Sequence, residues 1–116
     1  MTGPTYRLTR RAARDLRDIH VHSREQWGET HAEQHLADLY AVLARIAERP
    51  ELGELRQHRS YPFLMAPARR HFVVYDRLPD GIVVLTVLHQ GRDIEGIIAA
   101  EGPSFRRQIM ALRKKH

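Results

Sequence analysis

The 116-residue sequence predicts an α+β fold: an N-terminal strand and a helical hairpin packed on a mainly antiparallel sheet, in the order β-α-α-β-β-β, plus a C-terminal helical tail. Three observations predict it. Apolar residues recur every three or four positions from Ala12 to Ala47. Val, Ile, Phe and Tyr then crowd the stretch from Phe63 to Leu88, where turn residues divide them. Helical spacing returns after Asp93.

Residues 5–8, Thr-Tyr-Arg-Leu, read as a short first strand. Thr9 suits a helix N-cap, because its hydroxyl can accept from a backbone N–H that the helix leaves unpaired. Ala12, Leu16, Ile19, Ser23 and Trp27 then share one helical face, and Arg10, Arg14, Asp18 and Glu25 lie on the other. Gly28 can take the positive φ that stops such a helix. A second helix starts at Glu29 or at the Thr30/Glu33 capping box, with Ala32, Leu36, Leu39, Tyr40, Leu43, Ile46 and Ala47 as its apolar arc. Pro50 ends it and opens a Pro-Glu-Leu-Gly turn, so the two helices should pack as an antiparallel hairpin that buries Leu16, Ile19, Leu36, Leu39, Leu43 and Ile46.

The period then changes. Phe63-Leu64-Met65 reads as a short strand bounded by Pro62 and Pro67. Arg69–Asp76 and Ile82–Leu88, separated by Pro79-Asp80-Gly81, read as a β-hairpin. The tail reads as two helical pieces, Asp93–Ala100 and Ser104–Lys115, broken at Gly102-Pro103. Phe105, Ile109 and Leu112 share one face of the second piece, which is otherwise strongly basic. Its readings are a helix packed back on the domain, a contact to a target, or a segment ordered only on binding. No repeat or linker divides the chain, so a single domain spanning 1–116 is expected.

Composition narrows the chemistry. With no cysteine, disulfides, thiolate metal sites and thiol nucleophiles are excluded. The longest apolar run, Ile82 to Leu88, is too short to cross a bilayer, and the first five residues lack a signal-peptide layout, so a cytoplasmic protein with no membrane partner is expected. The net charge of +5 favours an anionic partner, although seventeen arginines among nineteen cations also fit a GC-rich genome. Charge does not choose between RNA, DNA and an acidic protein.

Several segments, taken in order, resemble the ParE/RelE toxin superfamily, and ParE most closely. They are Tyr6-Arg7-Leu8-Thr9 leading into Ala12–Ile19, Trp27-Gly28 followed by Ala32 and Leu36, Pro50-Glu51-Leu52-Gly53, Arg70–Tyr75, and Val87–Asp93. The resemblance spans about residues 5–93 and leaves 94–116 as an extension. It implies a toxin of a type II toxin–antitoxin system, neutralised by a ParD-like antitoxin whose C-terminal segment wraps around it. ParE-like members poison DNA gyrase, whereas RelE-like members cut mRNA on the ribosome; a non-toxic binding module of the complex is a third reading. Fold alone does not decide among them.

The nuclease reading has definite candidates. Metal-free RNA cleavage needs a proton acceptor, a proton donor and cations for the phosphate, which Arg69, Arg70, His71, His89 and Arg92 could supply. Pairing Arg77 with Ile82 sets Arg70 opposite His89, and a one-residue bulge sets His71 there instead. RelE-like nucleases also carry a Tyr or second His shortly after the last strand, and Asp93–Ile98 has neither. The gyrase reading assigns no catalytic residue. His31 and His35 have chelating spacing, but the intervening Glu33 does not fit the zinc-protease HExxH pattern and no third ligand is evident, so surface histidines, no metal and no cofactor are expected. Arg10 and Arg14 are candidate antitoxin contacts by charge. Trp27 and Tyr40 lie on inward arcs and fit the core, or a groove that accepts an antitoxin helix.

Overall fold

The computed structural model describes residues 5–58 and 62–114. Strand β1 (Thr5–Leu8) leads into helix α1 (Arg10–Trp27), and helix α2 (Glu29–Glu48) follows at once. Thr9 is the N-cap of α1, its hydroxyl accepting from the Ala12 amide at 3.1 Å. Gly28 joins the two helices at φ +89°, where an L side chain is strained, and its N–H closes α1 on the Arg24 carbonyl. A 3₁₀ turn (Pro50–Leu52) then leads to strands β2 (Glu54–Arg56), β3 (Phe63–Ala68), β4 (His71–Leu78) and β5 (Gly81–His89), and helix α3 (Ile94–Arg113) closes the chain.

The sheet order is β1-β5-β4-β3-β2, with β1 parallel to β5 and the other neighbours antiparallel. The expected mainly antiparallel α+β architecture is therefore present. The helical hairpin covers one face: Leu16, Leu39, Leu43 and Ile46 pack with Val73, Tyr75, Ile82 and Val84. Ile19 and Leu36, expected to be buried, are only partly so. Ile19 lines a groove at the hairpin's closed end, and Leu36 shares a helical turn with His35 of that groove.

Four other expectations need correction. Strand β2 was not anticipated, because Glu-Leu-Arg has no apolar run to mark it. β3 continues through Pro67 to Ala68, and its tight turn to β4 takes Arg69 and Arg70 out of the expected strand. The tail is one helix rather than two pieces, even though Pro103 can donate no backbone hydrogen bond. It is held through that gap because Ile98, Phe105 and Ile109 are pinned against Phe63, Met65, Val74 and Leu85 on the sheet's second face, with Gly102 buried beneath. Its basic residues Arg106, Arg107, Arg113 and Lys114 stay exposed. Finally, Trp27 lies outside the core, 52% exposed where the helices overhang the sheet. Among the described residues no helix is long and apolar enough to cross a membrane.

Candidate functional site

Leu85 decides the geometry of the site. Arg77 pairs with Ile82 as the simple hairpin register requires, but the register shifts at Val74/Tyr75 and leaves Leu85 as the extra residue on β5. The Leu85 carbonyl accepts the hydroxyl proton of Thr9 at 2.6 Å, so the bulge is fixed to the entry of α1. Over the next two residues, Asp15 of α1 accepts from the Thr86 hydroxyl and from the Val87 amide, the latter at 3.0 Å. Arg11 lies 3.5 Å from Asp15 and 3.3 Å from Glu101 of α3, linking the bulge to both sides of the sheet. The shift reverses which face the following residues occupy. Ile82 and Val84 face the hairpin before it, and Val87 does so after it.

His71 consequently stands opposite His89, with ring centroids 5.5 Å apart and edge-to-face. Of the two registers open from the sequence, the bulged one is realised, and Arg70 sits in the turn instead. His35 of α2 approaches from above, its ring 5.9 Å from that of His71. Burial, reinforced by the His35 and His89 rings, pulls His71 down to about 4, so it is neutral near pH 7. Burial also lowers His35, with Arg69 adding to the effect and Asp38 opposing it. The His71 Nδ1 is buried without a hydrogen-bond partner among the described residues. His89 Nδ1 accepts from the Gly91 amide at 3.4 Å, so the proton of its neutral form sits on Nε2.

The β3–β4 turn forms a second wall. Arg69 adopts φ 59°, in the left-handed region where non-glycine residues are uncommon. Its guanidinium meets Asp38 of α2 at 2.7 Å, and its carbonyl accepts from the Gln90 side chain at 3.2 Å. The Gln90 amide bonds the Arg70 carbonyl at 3.0 Å. The turn is thus tied to α2 and to the end of β5.

The result is a groove of about 720 Å³ between the overhanging hairpin and the sheet end. Arg70, His71, His89 and Arg92 all line it, as does Trp27, whose ring lies 5.1 Å from that of His31. Asp15 and Asp18 contribute the acidic side. Imidazoles beside exposed guanidinium groups can exchange protons and hold an anion; the Trp27 ring can take an apolar or stacking partner. No group of three or more His, Asp or Glu among the described residues is placed to hold a metal ion.

The remaining candidates lie elsewhere. Tyr40 stacks on Tyr6 at 6.4 Å, away from the groove and 37% exposed rather than in the core. The Arg10 amide bonds Gln108 of α3 at 3.0 Å, and Arg14 is exposed outside the groove. Trp27 is therefore the only one of the four antitoxin candidates found in the groove.

The family model described as ParE toxin of type II toxin-antitoxin system, parDE, matches residues 6–94. The chain belongs to the ParE toxin family. Toxin ParE1 of Caulobacter vibrioides is 34% identical over 85 residues, covering 73% of this chain and 88% of that protein. A solved structure titled as the chromosomal ParDE system from P. aeruginosa has a TM-score of 0.63 at 17% identity, covering 74% of this chain and 95% of that one, which supports the fold. In this ParE-family chain the sequence reading missed His35, Asp15 and Asp38, whereas Arg69, a candidate from the sequence, lines the groove and pairs with Asp38. His35 was expected to be a surface histidine, but it is partly buried against His71. Only the docking of α2 on the sheet brings it there; its spacing from His31 carried no such signal.

Proposed function

We propose that this ParE-family chain is the growth-arresting toxin of a type II pair, acting in the cytoplasm on DNA gyrase and neutralised by a ParD-like antitoxin. The observation favouring gyrase over RNA is the path of the chain after β5. It leaves the groove at Arg92, and Asp93 caps α3 by accepting from the Gly96 amide at 3.1 Å. Helix α3 then crosses to the other face of the sheet. Among the described residues nothing beyond Arg92 lines the groove, so no Tyr or second His from after the last strand reaches it.

The groove also suits the antitoxin. Exposed Trp27 offers an apolar anchor, and Arg70 and Arg92 offer charge to an acidic segment. Contacts to Arg10, Arg14 and Tyr40 would require that segment to continue around the hairpin, in keeping with a partner that wraps its toxin. Controlled expression of the chain tests this reading. Growth arrest with DNA breaks, relieved by co-expressing the antitoxin encoded next to it, supports it; unimpaired growth would leave only the non-toxic binding module.

Ribosome-dependent mRNA cleavage is the second reading, and the His71–His89 opposition favours it. A neutral His71 could accept the 2′-hydroxyl proton, His89 could donate to the leaving oxygen, and Arg70 and Arg92 could hold the phosphate. Transcript cuts abolished by His89→Ala would establish it.

A further inference from the structure

We propose that the outer edge of β2 is a self-complementary docking strand, and that its partner is a second copy of this chain. β2 ends the sheet, and among the described residues no strand pairs with its outer side. Glu54, Leu55 and Arg56 are all exposed. Of the six exposed large apolar side chains among the described residues, two belong to this edge: Leu55 at 57% and Leu52, just before it, at 44%. Unpaired strand edges template further pairing, and natural proteins blunt them with shortness, charge or proline. This edge is short and carries two charges, but they are of opposite sign and no proline interrupts it.

The charge order specifies the partner. Glu54 and Arg56 share one face of the strand, 3.9 Å apart, with Leu55 on the other. In a twofold antiparallel pairing centred on Leu55, each Glu54 lies opposite the Arg56 of the other copy, and the two Leu55 side chains meet across the axis. One three-residue sequence therefore supplies both halves of the match. A parallel pairing in register would instead set like charges side by side.

The edge is also held in place from within. The Tyr75 hydroxyl donates to the Pro50 carbonyl, and a Cβ on Gly53 would come within 2.1 Å of that hydroxyl. The turn leading into β2 is thereby packed onto the ring of Tyr75, a core residue of β4. The strand is presented in a fixed register, which reduces the ordering cost of pairing.

Sedimentation of the purified full chain over a wide concentration range tests this, with circular dichroism to confirm that each variant folds. The wild type should form dimers reversibly. Glu54→Arg alone and Arg56→Glu alone each set like charges opposite one another and should raise the dimer Kd ~10-fold or more. The double variant E54R/R56E restores opposite charges and should dimerise as the wild type does. An equimolar mixture of the two single variants should form heterodimers. A wild type that stays monomeric overturns the proposal and leaves the edge to a strand from some other chain. Single variants that dimerise undiminished, or a double variant that fails to recover, overturn it by placing any dimer contact elsewhere.

Discussion

His71 faces His89 across the β4–β5 ladder because Leu85 has no partner on β4. One unpaired residue, clamped by Thr9, exchanges the arginine that a regular ladder would present for an imidazole. The same clamp caps α1, so helix entry and groove chemistry rest on one hydroxyl.

Thr9→Val should therefore cost more than an ordinary cap. It removes the acceptor for the Ala12 amide and the donor to the Leu85 carbonyl at a position only 2% exposed. The expected loss is ~1–3 kcal/mol in urea unfolding. A change indistinguishable from zero would mean that the bulge holds without the clamp.

The His71 environment makes stability pH-dependent. Its folded value, about 4, lies below the ordinary 6.5, so the unfolded chain binds the proton first as pH falls. His71 therefore contributes a loss of stability that develops from about pH 6.5 down to about pH 4. In His71→Phe that contribution is absent, and the carboxylates common to both proteins cancel in the comparison. Urea midpoints should fall less in the variant than in the wild type between about pH 7 and about pH 5. Parallel curves would show that His71 titrates normally.

Both helices of the hairpin were legible because eighteen and twenty residues give the apolar period several turns in which to repeat. Each of the missed features depends on tertiary contacts. Three residues of β2 cannot display a period. The unbroken α3 depends on a sheet face that holds it across Pro103. His35 reaches the groove through helix docking, and Trp27 lines the same groove, 52% exposed, instead of packing in the core. The choice between Arg70 and His71 depended on a single bulge, for which the sequence offered two registers and no means of choosing.

Leu39 tests the helix register directly. It is 1% exposed between α1 and the sheet, and Leu39→Ala should cost ~2–5 kcal/mol in urea unfolding. A loss well under that range would place the apolar arc of α2 on another face.

Arg69 tests the strained turn. Arg69→Gly relieves the left-handed backbone and loses only an exposed ion pair, so stability should stay within ~1 kcal/mol of wild type. Arg69→Val keeps the strain and adds a β-branch, which should lower stability by ~1–3 kcal/mol. Equal stability of the two variants would contradict the turn geometry.

The central functional claim is best tested with purified components: the chain is added to DNA gyrase and supercoiled plasmid, and in parallel to ribosomes translating a defined mRNA. The gyrase reading predicts accumulation of cleaved plasmid with intact transcript, unchanged in His89→Ala. Untouched gyrase, together with ribosome-dependent transcript cuts that vanish in His89→Ala, would contradict it.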